Sequence, residues 1–263
     1  MHLRLDKRMG TRLNGKIAVI TGSIRGMGEG IARRLAVEDA IVVVSGSNTA
    51  EGEQVAHELL QSSCQAKFIA ADVARDTDCA RLIQLTLERF GRLDVLVNNA
   101  GIFPSVPLED LSIEIWDKLF AVNTRGAFSC CRYAIPSMQR PHGGAIINIG
   151  SMLAFRSPIE WLAYACSKGA LLTMTRVLAQ NYARDHVRVN WVTVGWVASP
   201  GEVELRNALH EDGIAFLEQQ GQTTPFGRLE SPEDIAASVV FLASDEASHI
   251  TGTELNISSG QLI

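Results

Sequence analysis

The sequence predicts an α/β protein: one doubly wound parallel sheet with helices on both faces, in a single domain. Three observations carry this. Short apolar runs alternate with longer amphipathic stretches along the whole chain, and the runs are apolar throughout rather than at every second residue. Strands with both faces buried show that pattern, and a helix between successive strands makes the sheet parallel. No Pro/Ser-rich linker, repeat or charge block divides the 263 residues, 46% of which are hydrophobic, enough for one large core.

Element by element, KIAVITG from Lys16 is the first strand and GEGIARRLAVEDA the first helix. IVVVSGS, AEGEQVAHELLQSS and AKFIAADV continue the β-α-β punctuation. LDVLVNNAG, GAIINIGS and VRVNWVTVG are further compact strands ending in Gly, Asn or Ser, and TELNIS is the last. Residues 1–12 read as an N-terminal arm and residues 13–263 as the domain. The stretch 200–225, helical in pattern and bracketed by Pro200 and Pro225, reads as a mobile lid over a substrate.

Composition limits the partners. A net charge of -5 gives no general attraction to nucleic acid or anionic lipid. No window approaches the roughly 18 apolar residues needed to span a bilayer, and the basic N-terminus lacks an apolar core of a leader, so a cytoplasmic location is expected. Five cysteines without CxxC pairing read as reduced thiols, and six scattered histidines imply no metal. A small molecule is the expected ligand.

Ligands of such sheets bind beyond the carboxyl ends of the strands. There the first strand runs into Thr21-Gly22-Ser23-Ile24-Arg25-Gly26-Met27-Gly28 and then a helix, the setting of a phosphate-binding glycine loop. Gly22 permits the tight turn, Gly26 lets backbone approach a pyrophosphate, and Gly28 allows close packing of helix on strand, while the helix N-terminus adds partial positive charge. The TGxxxGxG spacing, Asn98-Asn99-Ala100-Gly101 after a strand, and Ser151 thirteen residues before Tyr164-Ala165-Cys166-Ser167-Lys168 together resemble the short-chain dehydrogenase/reductase family, in particular its 3-oxoacyl reductase-like members. The likeness runs from about Asn14 to Gly260.

This resemblance implies a Rossmann-like fold and a nicotinamide dinucleotide cofactor. It places Asp72 and Val73 at the adenine ring, and Asn99, Ala100 and Gly101 under the adenosine ribose. Asn side chains also satisfy loose backbone groups, so NNAG has a strand-bridging role open to it as well. NAD specificity usually needs an acidic residue after the second strand. Here that stretch reads Val44-Ser45-Gly46-Ser47-Asn48, with no carboxylate. Arg25 supplies a cation and Ser47 a hydroxyl for a 2′-phosphate, which favours NADP(H) over NAD(H).

Tyr164 and Lys168 stand at i and i+4 of a helical stretch, one turn apart on one face. An adjacent ammonium favours phenolate, so the tyrosine pKa is expected to fall toward the working range, and the phenol becomes the acid/base of a ketone/secondary alcohol interconversion. Tyr164 and Lys168 also contact the nicotinamide end of the cofactor, where Lys168 reaches the ribose. Ser151, at the end of AIINIG, is placed to steady charge on the substrate oxygen. Resemblance adds Asn123 in FAVNTRGAF as the fourth member of a catalytic tetrad. Cys166, at i+2, reads as a core residue rather than a nucleophile.

The chain departs from the family twice. Where Pro-Gly and a later Thr-Pro are usual, it has Val194-Gly195-Trp196-Val197-Ala198-Ser199-Pro200, so Gly195, Val197 and Ser199 form the nicotinamide turn without a proline lock. Its ending reads Asn256-Ile257-Ser258-Ser259-Gly260 in place of an acidic residue and two glycines. Met152, Leu153, Phe155, Trp161 and Trp196 suggest a partly apolar, aromatic pocket, with core packing an equal alternative for Trp161. Glu202, Glu204 and Arg206 read better as a solvated helix face than as substrate ligands. Apolar surface on TRGAFSCCRYAIPSM and on the Tyr164 helix points to a homo-oligomer, a tetramer or dimer. Two other functions compete: an NAD-linked polyol or sugar dehydrogenase, and a non-catalytic dinucleotide sensor, for which a broken tetrad would be the usual sign.

Overall fold

A computed structural model describes residues 11–139, 143–208 and 212–262. Most of the expected arm, residues 1–10, lies outside the described residues. Its last residue, Arg12, is tied to the domain by two bonds of 2.8 and 2.9 Å to the Glu246 carboxylate, and Leu13 beyond it is fully buried.

All seven expected strands form: β1 (Ile17–Thr21), β2 (Ile41–Gly46), β3 (Gln65–Ala70), β4 (Val95–Asn98), β5 (Gly144–Ile149), β6 (Val187–Val194) and β7 (Glu254–Ile257). They make one sheet in the order β3-β2-β1-β4-β5-β6-β7, with every pairing parallel. The helices are α1 (Gly26–Val37), α2 (Thr49–Gln61), α3 (Asp76–Phe90), α4 (Ile113–Phe120), α5 (Ala127–Met138), α6 (Leu162–Tyr182), α7 (Pro200–Ala208), α8 (Gly213–Gln222) and α9 (Pro232–Ala243).

The apolar strands explain the layering. Alternate residues point to opposite faces, so Ala18, Ile20, Val42, Val44 and Val97 meet Ile31 and Leu35 of α1 and Val239 of α9. Their neighbours Val19, Val43, Leu96 and Ile146 meet Leu82 of α3 and Cys131 and Ile135 of α5 on the other face. Each fully buried Leu, Ile or Val contributes roughly 1.5–3 kcal/mol. Strand order reverses between β1 and β4, which opens a crevice at their carboxyl ends. Among the described residues no helix is long and apolar enough to cross a membrane.

Candidate active site

At the end of β1 the backbone turns at Gly22, with φ of +63°. A Cβ there would lie 2.8 Å from Ala100 Cα, so only glycine lets the loop touch the segment after β4. At Gly28 a Cβ would meet the Gly22 carbonyl oxygen at 2.1 Å, which is why α1 can close onto the loop. Gly26 differs: its nearest contact would be Ser199 Oγ at 4.0 Å. It faces a space whose far wall is the turn after β6, and Arg25 makes no side-chain bond that caps α1. Met27 packs on the core beside it.

The remaining loop residues divide. The Ser23 hydroxyl donates to Ile20 O at 2.7 Å and accepts from Ser45 N at 2.9 Å, so it holds the loop from within and faces away from the crevice. Ile24 lies over Gly46, which has no side chain to obstruct it, and this brings Arg25 and Ser47, both exposed, to the end of β2. Sequence reading missed Glu51, whose carboxylate accepts from Asn48 Nδ2 at 2.8 Å just past that strand.

Asn99 does the strand-bridging: its amide nitrogen donates to Thr21 O at 2.9 Å and Gly22 O at 3.0 Å, and the backbone of Asn99 and Ala100 binds Thr21 Oγ1. Its own Oδ1 is buried without a partner. After β3, Asp72 accepts from Ala74 N at 3.0 Å, and Val73 is buried against Gly126. Both stand at the carboxyl edge beside the loop.

The second group assembles from three segments. Asn123 sits in a π-helical turn, Ala121–Gly126, between α4 and α5, the kind of local widening that re-aims a side chain. Its Oδ1 accepts from Ile102 N at 2.8 Å, and its Nδ2 donates to Ile102 O at 2.9 Å and to Ser167 Oγ at 3.1 Å. Lys168, one turn after Tyr164 on α6, donates to Ile149 O at 2.8 Å. A Cβ on Gly101 would lie 3.4 Å from Asn123 Oδ1 and 3.7 Å from Lys168 Nζ, so the glycine leaves room where these two polar atoms converge. Ser151, 7% exposed, accepts from Leu153 N at 3.1 Å, and its hydroxyl lies close enough to the Tyr164 phenol to favour the phenolate.

Electrostatics depart from expectation here. Lys168 Nζ is 5.7 Å from the Tyr164 ring centre and commits its hydrogen bond to a carbonyl. Burial pushes the phenol up to about 12, against the opposing influence of the nearby Ser151 hydroxyl, and pulls the Lys168 ammonium down to about 8. Desolvation therefore outweighs the expected charge effect in the protein alone.

Aromatic rings surround the phenol: Phe103 at 6.3 Å and Trp161 at 6.1 Å between centroids, both edge to face. Phe103, two residues beyond Gly101 and half exposed, was not found by sequence reading, because nothing in a loop marks which ring will touch the phenol. Trp196 packs on Phe216 of α8, with the Arg206 guanidinium over both rings and 2.9 Å from Glu202 Oε1. Arg206 and Glu202 thus bind α7 to the turn and to α8, where a solvated face was expected. Cys166 is exposed, not part of the core; its i+2 position on α6 turns it to the surface. The clearance between Gly26 and Ser199, the N-terminus of α1 and the room that Gly101 leaves beside Lys168 are the features that could hold a dinucleotide.

Fold and site define a dinucleotide-binding α/β enzyme. The family model described as enoyl-(acyl carrier protein) reductase matches residues 22–261. The chain is 37% identical over 252 residues to an L-fucose dehydrogenase of Oryctolagus cuniculus, covering 95% of this chain and 86% of that one. It is 35% identical to dehydrogenase/reductase SDR family member 4 of Caenorhabditis elegans, covering 95% and 96%. A solved short chain dehydrogenase/reductase family protein superposes with a TM-score of 0.83 at 32% identity, over 95% of this chain and 98% of its own. The chain belongs to the short-chain dehydrogenase/reductase family and is an NAD(P)-dependent oxidoreductase.

Proposed function

We propose that the protein interconverts a ketone and a secondary alcohol with NADP(H), and that Tyr164 is the general acid/base. The observation that carries this reading is the convergence of Ser151, Tyr164, Lys168 and Asn123, from three chain segments, beside the open floor at Gly101. Gly22, Gly26, Met27 and Gly28 would hold the pyrophosphate with backbone groups, and Asp72, Val73, Asn99, Ala100 and Gly101 the adenosine half. Gly195, Val197 and Ser199 would hold the nicotinamide. The bound dinucleotide supplies or receives the hydride.

The chain's own residues handle the proton. With the phenol up at about 12, Tyr164 is held protonated at neutral pH, the state needed to donate to a substrate oxygen in reduction. Ser151 donates to the same oxygen and steadies its developing charge. A positive Lys168 eases the phenolate that remains, and Asn123 fixes the local backbone through Ile102. The intact tetrad speaks against a non-catalytic sensor.

Arg25 and Ser47 at the end of β2 support NADP(H). A second reading, an NAD-linked sugar or cyclic alcohol dehydrogenase, is favoured by the Glu51 carboxylate near that strand and by relatives named L-fucose dehydrogenase and cyclopentanol dehydrogenase, the latter 34% identical and from Comamonas testosteroni. A panel of ketones, sugars and cyclic alcohols followed by nicotinamide absorbance with each cofactor separates them. Turnover with NADPH and its ketones supports the first; turnover only with NAD and sugars or cyclopentanol supports the second. Exposed Phe128, Ile113 and Val177 on α5, α4 and α6 support a homo-oligomer, a dimer or tetramer, which light scattering reports directly; a monomer at micromolar concentration counts against it.

A further inference from the structure

Glu230, between α8 and α9, is 2% exposed, yet neither carboxylate oxygen has a hydrogen-bond partner, and the buried Gln261 Nε2 has none either. All three atoms gather at one point: a Cβ on Gly195 would lie 2.8 and 3.0 Å from the two Glu230 oxygens and 3.0 Å from Gln261 Nε2. The Glu230 backbone reaches the same turn, where its carbonyl accepts from Ala198 N at 2.8 Å and the residue pairs with Val197 as a parallel bridge. The Ser259 hydroxyl comes close enough to ease the carboxylate without completing a bond to either oxygen. Both departures from the family pattern thus meet here: Val194 precedes Gly195 without a proline ring, and Ser259 fills the ending.

We propose that Glu230, together with Gln261, is a positioning residue for the Gly195–Ser199 turn, replacing the missing proline as its lock and thereby setting affinity for the nicotinamide end of the cofactor. The inference rests on the assignment of that turn to the nicotinamide. A carboxyl and an amide N–H complement each other, and a side chain filling the space under Gly195 limits how far the turn can sag. Burial pushes the Glu230 carboxyl up, so a charge held under the turn costs more than it would in water. Among charged groups around it, Arg228 lies on its own segment and is engaged with Asp234 of α9 at 2.6 Å. The C-terminal segment presents Ser259 and Gln261, and the β6 turn presents Gly195, Val197 and Ala198, none of which offers a countercharge.

Calorimetric titration of the full chain with whichever of NADPH or NADH binds tighter tests this, alongside the thermal midpoint of the protein alone. Glu230→Ala is expected to raise the dinucleotide Kd about tenfold, the scale on which loss of a pre-organised turn weakens binding, while Glu230→Gln, which keeps the shape under the turn but cannot ionise, stays near wild type. Wild-type affinity should weaken as pH rises and the Glu230→Gln profile should be flatter. A merely structural role would lower the thermal midpoint and leave Kd alone. Wild-type affinity in a folded Glu230→Ala protein, or a Glu230→Gln profile parallel to wild type, overturns the inference; the second arm decides if the alanine variant does not fold. Wild-type protein that binds neither dinucleotide would instead overturn the cofactor assignment and this inference together.

Discussion

The glycine loop and the tyrosine cluster lie at the same edge of the sheet, yet they are built by opposite means. The loop is shaped by backbone: positive φ at Gly22 and Gly26, missing side chains at Gly28 and Gly46, and Asn99 and Thr21 bonding main-chain atoms. The cluster is shaped by side chains from a π-helical turn, the end of β5 and one face of α6, and by how far burial moves their protons. Changes at the loop should therefore damage folding or binding, whereas changes at the cluster should damage chemistry and leave the fold intact or even steadier.

Tyr164→Phe is expected to lower turnover at least about 10³-fold, with dinucleotide Kd within about threefold, because the proton transfer needs the hydroxyl while the ring that borders the cofactor is kept. Steady-state rates paired with calorimetric titration check both halves; unchanged turnover would defeat the mechanism. Lys168→Met follows. A buried lysine whose ammonium is pulled down to about 8 from 10.5 binds fewer protons folded than unfolded between those values. The penalty, of order 3 kcal/mol, is present below pH about 8 and lifts as pH rises toward the unfolded value. The methionine variant should lose activity yet melt several degrees higher at neutral pH, and the gap should shrink in alkaline buffer. A lower midpoint would show that the bond to Ile149 O outweighs desolvation.

Gly28→Ala tests the backbone side of the comparison. A Cβ would press on the Gly22 carbonyl at 2.1 Å, so the variant should lose about 2 kcal/mol of stability in urea unfolding even without cofactor. Full stability with weakened binding would mean that the loop yields where the structure shows contact. Arg25→Ala has the smallest expected effect: about tenfold weaker NADPH binding, the scale of one charge-assisted hydrogen bond, with NADH unchanged. Equal losses for both cofactors would remove Arg25 from the 2′-phosphate.

Much of this was legible in the chain because it is local. Strands apolar on both faces, the glycine spacing and the i, i+4 step from Tyr164 to Lys168 are properties of neighbouring residues. Other features were not. Ser23 faces inward because Ile20 and Ser45 claim its hydroxyl, and Phe103 reaches Tyr164 because of the path of the loop after β4. Arg206 is partly covered because Trp196 and Phe216 arrive from elements on either side of it.

The sequence by itself determined the layered sheet and the glycine-rich turn at its carboxyl edge, since periodicity and steric freedom are written into consecutive residues. Tertiary structure alone decided the protonation of Tyr164 and Lys168 and the company they keep. A phenol beside a lysine on a helix favours phenolate in water, but closing α6 against β5 removes the water, and desolvation reverses the sign. Glu230 and Gln261 are ordinary polar residues in the chain, and only the fold brings their unpartnered atoms together under Gly195.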